Sequence, residues 1–234
     1  MKMGFFFSGA VLLVFLFPQS RVCAQTRTDG RADALVEYRN GNYEAAVRIC
    51  KTELAANANN LEAHVVICWS LITLGRYEEA LGYARNGRAL SRYDPRIVEI
   101  LAEIAYYQGR NQEALEYFQE YVNLAPEGGR IDMVYYFVGE IYIRLGRFRH
   151  ADIALSTAVH YVPGNAAWWT RLAYARENAA GPRPAGRQAQ AQYALELQEA
   201  LRAYEQALAL NAQYSDARRG LDRVRQALAA LIRD

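Results

Sequence analysis

Glu99 and Glu103 stand four residues apart, on one face of any helix that carries them, and Glu140 follows further along. Paired carboxylates can do general acid and base work when a pocket holds a substrate between them. Nothing nearby in the sequence supplies that pocket. The chain also has no glycine loop of phosphate-binding spacing and no nucleophile elbow. His64, His150 and His160 are scattered, and Cys50 and Cys68 add no second ligand pair, so no zinc pattern is spelled out. His64 reads as a packed side chain. The three acids read as groups that meet arginine or lysine, and the chain as a non-enzyme with no cofactor and no metal.

The elements that place these acids are repeats. One phrase returns four times: Gly41, Tyr43 and Ala46; Gly75, Tyr77 and Ala80; Gly109, Asn111 and Ala114; Gly146, Phe148 and Ala151. The glycines step by 34, 34 and 37 residues. A period in that range predicts stacked supersecondary units rather than one closed globule. The segments between have helical period. With the glycine as position 15 of a unit, position 8 is always small: Ala34, Cys68, Ala102, Gly139 and Ala173. Position 20 is Ala46, Ala80, Ala114, Ala151 and, after an insertion, Ala200. Small residues at both places let two antiparallel helices approach closely. Ile67, Leu101, Val138 and Leu172 at position 7 flank that contact. The glycine ends the first helix, and Pro126 and Pro163 mark where the second must stop.

This set of positions resembles the tetratricopeptide repeat (TPR) family over about residues 29–212. The resemblance implies an all-α, right-handed superhelical solenoid of helix pairs, the first helix of each pair lining the hollow side. The units fall at about 29–60, 61–94, 95–128, 132–165 and 166–212. The first lacks the early part of its first helix. The fifth is interrupted: a helix over about 166–179, then a break at Gly181–Gly186, then a long helix over about 187–210. Its extra turns are expected to project beyond the stack. Ala180 holds the glycine position there. A capping helix over 215–232 is expected, with Leu221, Val224, Leu228 and Leu231 inward and an arginine-rich solvated face outward.

Positions 2, 5, 9, 12 and 13 of the first helices fall within one arc of about 100°. In the family this arc faces the groove. It holds Val65, Trp69 and Ile72 in unit two; Glu99, Glu103, Tyr106 and Tyr107 in unit three; Tyr136, Glu140 and Arg144 in unit four; Thr170 and Tyr174 in unit five. From these the expected partner-binding groove is Trp69, Glu99, Glu103, Tyr106, Tyr107, Tyr136, Glu140, Arg144 and Tyr174. Such an aromatic and acidic surface suits an extended peptide or helix bearing apolar and basic side chains. The family's carboxylate clamp for chaperone C-termini is disfavoured, because Glu99 and Glu103 stand where its Lys and Asn belong.

Residues 1–24 read as a cleavable signal peptide: Lys2, an apolar run from Met3 to Phe17, and small residues ahead of a cut between Ala24 and Gln25. Residues 25–234 then form the exported repeat domain, periplasmic or secreted. The apolar run is too short for a stable transmembrane anchor. A lipoprotein reading through Cys23 is the weaker one, since Val22 is not small. Cleavage removes two of the 27 basic residues and none of the 25 acids, leaving the mature chain near zero charge. That balance excludes a global field for nucleic acid. An oxidising compartment leaves a Cys50–Cys68 disulfide open, against two buried thiols. The leading function is a non-catalytic scaffold or adaptor for a protein or peptide of the cell envelope. The alternatives are a small-ligand-binding accessory of a solute transporter and a self-associating structural protein, a homo-oligomer.

Overall fold

The structure, a computed structural model, describes residues 33–232. The leader at 1–24, Cys23 and the first residues of the mature chain lie outside them. Eleven helices and no strand occur among the described residues. They are α1 (Ala34–Arg39), α2 (Tyr43–Ala56), α3 (Leu61–Thr73), α4 (Tyr77–Leu90), α5 (Pro95–Tyr107), α6 (Asn111–Leu124), α7 (Ile131–Arg144), α8 (Phe148–Tyr161), α9 (Ala166–Ala179), α10 (Arg187–Leu210) and α11 (Ser215–Ile232).

Local chemistry sets the hairpins. Gly75 has φ 72°, in the left-handed region. Its N–H donates to the Ile72 carbonyl at 2.9 Å and that of Arg76 to Leu71 at 2.8 Å. This pair of bonds closes the end of α3 in a Schellman turn. The same two bonds form at Gly41, Gly109 and Gly146. In unit five the turn slips one residue, from Ala180 to Gly181, which takes the positive φ. At the other end, Asn60, Asp94 and Asn165 cap α3, α5 and α9, their side chains accepting backbone N–H bonds of the first turn. Arg130 fills that place before α7 and gives no side-chain cap.

Packing follows the small positions. Ala46, Ala80, Ala114, Ala151 and Ala200 are fully buried, as are Cys68, Ala102 and Ala173 facing them. Each helix packs on the next in sequence. Odd-numbered helices also pack closely on the next odd one, from α1–α3 through α9–α11, whereas the even helices stand further apart and reach one another through long side chains, as in Lys51–Glu79, Arg88–Glu120 and Arg149–Glu196. A stack that touches along one row and opens along the other curves, with the touching row inside. The odd helices therefore line the inner face. The apolar interior is a run of linked clusters, each shared by neighbouring units.

The helix α11 occupies the next odd position and buries Ala217, Gly220, Leu221 and Val224. Its arginine face is engaged with acids: Arg223 with Glu177, Arg225 with Glu205 and Arg219 with Asp216. The long helix α10 buries nothing before Leu197. Its early turns do not simply project, however: Arg149 of α8 donates to Glu196 at 3.1 Å, and Tyr193 packs on the last apolar cluster.

Where position 8 is Gly139, the side chain of Leu155 fills the space. A Cβ added there would lie 2.5 Å from Leu155 Cγ, and Leu155 is fully buried. Gly139→Ala should therefore destabilise the protein by about 1–3 kcal/mol through overpacking. Chemical denaturation checks this; an unchanged midpoint would refute the close approach of α7 and α8.

Candidate binding face

The inner face begins with what packing leaves over. Val65, Ile72 and Thr170, expected on the open arc, are buried. So are three of the proposed groove residues, Glu99, Glu103 and Tyr106. The reason is the row of contacts between odd helices: one flank of each arc, at positions 5 and 12, presses on the next unit, while the opposite flank, with Thr73, Tyr107 and Arg144 at position 13, stays open. Trp69 is half-buried, with its ring 5.7 Å from Tyr38. Tyr107 is 43% exposed and stacks on Tyr77 at 4.9 Å. Tyr136 is half-buried and stacks on Trp168 at 5.1 Å. Tyr174 is half-buried, edge-on to Phe148. Arg144 is exposed; its guanidinium lies 3.8 Å over the Tyr106 ring and donates to the Tyr106 carbonyl at 3.0 Å.

The acids are not open to a guest, because each meets an arginine of the next unit. Arg130 donates from Nε to Glu99 at 2.8 Å and from Nη2 to Glu103 at 2.6 Å. Arg171 grips both oxygens of Glu140, at 2.6 and 2.9 Å. Arg223 grips both oxygens of Glu177, each at 2.8 Å, and the Tyr204 hydroxyl donates to Glu177 at 2.7 Å. Arg96 reaches back to Glu62 at 2.8 Å. Sequence reasoning named Glu99, Glu103, Glu140 and Arg144 but not Arg130, Arg171, Glu177 or Arg223 as a set. The available signal was the spacing of acid to arginine by about one unit: 34 residues for Glu62–Arg96 and 31 for both Glu99–Arg130 and Glu140–Arg171.

Burial, and then the adjacent Glu103 carboxyl, push Glu99 up to about 8, with Arg130 pulling the other way. A raised carboxyl is the property expected of a catalytic acid. Here the group lies behind Arg130 with a side chain only 3% exposed, which gives a substrate no path to it. Its role is structural.

The thiols Cys50 and Cys68 are both buried and stand unbridged. The Cys68 S–H donates to the Ala80 carbonyl at 3.4 Å, and burial pushes Cys50 up to about 12, so both behave as small core fillers. His64 is buried and its Nε2 lies 3.0 Å from the Ala58 carbonyl.

Residues 31–136 match the family model of the tetratricopeptide repeat. The BBSome complex member BBS4 homolog of Drosophila melanogaster is 27% identical over 139 residues, 56% of this chain. The chain spans only 29% of that relative's length. Among solved structures, MamA from Desulfovibrio magneticus RS-1 is 17% identical with a TM-score of 0.58, covering 74% of this chain and 89% of its own. A thermophilic TPR protein of Thermus thermophilus, TTC0263, is 19% identical with a TM-score of 0.55, covering 82% and 94%. The APC/C hetero-tetramer Cut9-Hcn1 gives 18% identity and a TM-score of 0.67, covering 82% of this chain and 35% of that one. At these identities the structures share the fold. Residues 31–136 thus carry the tetratricopeptide repeat, and the described residues form an all-helical solenoid of that fold, which suggests a protein-interaction scaffold.

The Glu99 shift carries a sign for stability. The unfolded carboxyl titrates near 4.5 and the folded one near 8, so the folded state holds a proton the unfolded chain has released between those values. That contribution is full below 4.5 and is lost as pH rises through 8. The melting temperature should fall across this window, and Glu99→Gln should flatten it. Parallel melts over a pH series check this; an equal slope in the variant would contradict the assignment.

Proposed function

We propose that this chain is an exported, non-catalytic scaffold that holds a protein or peptide partner along the inner face of its solenoid. The observation that carries the reading is the row of rings left partly uncovered on the odd helices: Trp69, Tyr107, Tyr136 and Tyr174. Rings in a curved row offer contact area at low entropic cost, and the helices beneath them are already fixed by packing. The fly relative is a member of the BBSome complex and Cut9 belongs to an APC/C hetero-tetramer. Membership of an assembly is what this reading assigns here too. Among the described residues no helix is long and apolar enough to cross a membrane. The leader read from the sequence supports a partner in the cell envelope or outside the cell.

Two measurements test the proposal. Immobilised protein should capture a partner from envelope extracts, and Trp69→Ala with Tyr107→Ala should abolish capture while far-ultraviolet circular dichroism stays the same. Undiminished capture by the double variant would eliminate this face. Sequencing the mature N-terminus should give Gln25; an uncleaved Met1 would eliminate export by this route.

A further inference from the structure

We infer that the guest of the inner face is an acidic peptide segment bearing aromatic side chains, gripped by guanidiniums that stand out from the junctions between units. This rests on the scaffold reading above and specifies the chemistry of its partner. The ion pairs of the inner face are lopsided. The side chain of Arg130 is 49% exposed, against 3% for Glu99 and 11% for Glu103. Arg171 is 35% exposed against 12% for Glu140, and Arg223 is 52% against 17% for Glu177. At these three junctions the acid lies inside and the cation outside.

The geometry is also the same at each. Arg130, Arg171 and Arg223 all spend Nε and Nη2 on their acids, and Nη1 takes no part in those bonds. A guanidinium carries five N–H donors in a rigid fork, so the Nη1 end keeps donors for a carboxylate that arrives from the groove. Its own acid holds the fork in place, which lowers the entropy lost on binding. Arg144 adds a fourth exposed cation, braced by the Tyr106 ring and carbonyl rather than by an acid. On the same helices lie Tyr107, exposed, and Tyr136 and Tyr174, half-buried; each ring is already braced on one side, by Tyr77, Trp168 and Arg171, and the surface left over suits aromatic side chains.

Charge separates this guest from the other candidates. A basic peptide would meet the arginines first, while both oxygens of Glu140 and of Glu177 are already taken. A nucleic acid needs an uncompensated positive stripe, and three of the four cations are backed by a carboxylate. Single, spaced carboxylates on a peptide can approach one Nη1 end at a time. The α3 end of the face is mixed, since Glu62 there is more exposed than Arg96, so the acidic guest is assigned to the stretch from α5 to α11.

Fluorescence anisotropy tests the inference, using a labelled peptide of alternating Glu and Phe, the same peptide with Lys for Glu, and a labelled polyuridylate. The Glu/Phe peptide should bind about tenfold tighter than the Lys/Phe peptide and weaken as salt is raised. Arg144→Gln, which uncovers no buried acid, should weaken Glu/Phe binding several-fold and leave circular dichroism unchanged. Preference for the Lys/Phe peptide, or no effect of Arg144→Gln, would overturn the charge assignment and leave the scaffold reading standing on its own capture test. Preference for polyuridylate would overturn both. Binding of none of the three would overturn the acidic-peptide assignment, and the capture assay with the Trp69 and Tyr107 variant would then show whether the face binds a protein at all.

Discussion

Each helical hairpin in this protein is left with an apolar stripe that its own two helices cannot cover. That stripe must be hidden by the next unit, and everything else follows from the contact that hides it. The contact runs along the odd helices, where α1, α3, α5, α7, α9 and α11 meet in turn. The even helices of the described residues stand further apart, bridged by long side chains such as Lys51–Glu79 and Arg88–Glu120, so the stack bends and the odd row becomes its inner surface. The same contact that makes the solenoid also decides which side chains remain for a partner. Burial of Val65, Ile72 and Tyr106 is a consequence of that bend.

The junctions add a polar layer to this apolar one. Carboxylates pressed into them would be costly alone, and each is met by an arginine of the following unit. The strongest case is Glu99 and Glu103 facing Arg130. Arg130 occupies the place where the other full units put a capping Asn or Asp. The exchange gives up one N-cap and gains a bridge to two buried acids. It coincides with the one glycine step that is three residues longer than the rest, and with Gly128 and Gly129 just before it. Irregularity in the repeat here marks a junction with a different electrostatic job. The fifth unit shows the other kind of irregularity. There, Gly181 replaces the turn lost at Ala180, and a long helix still delivers Leu197, Ala200 and Ala203 to the same packing surface.

Much of the architecture was legible because it rests on local rules. Glycine at a helix end needs a positive φ, alanine at a crossing needs no space, and both recur at fixed distance. Helix limits such as Ala166–Ala179 and Arg187–Leu210 follow from such punctuation. The candidate face was legible only in part. Trp69, Tyr107, Tyr136 and Arg144 lie where the helical wheel puts them, half-open or exposed. Glu99, Glu103 and Tyr106 share that arc but are covered, because a wheel describes one helix and burial here is imposed by its neighbours. The wheel also has no place for Arg130, which precedes its helix.

The sequence by itself determined the repeat, the helices and the close crossings within each hairpin, since glycine, alanine and proline act over a few residues of chain. Tertiary structure alone decided the sign of the inner surface. Counting residues gives a face rich in acid, whereas the fold turns those acids inward and presents the arginines that neutralise them. The reason is physical: a short carboxylate can be enclosed at a junction if it is paired, while a long guanidinium can reach that pair from the rim and stay in water.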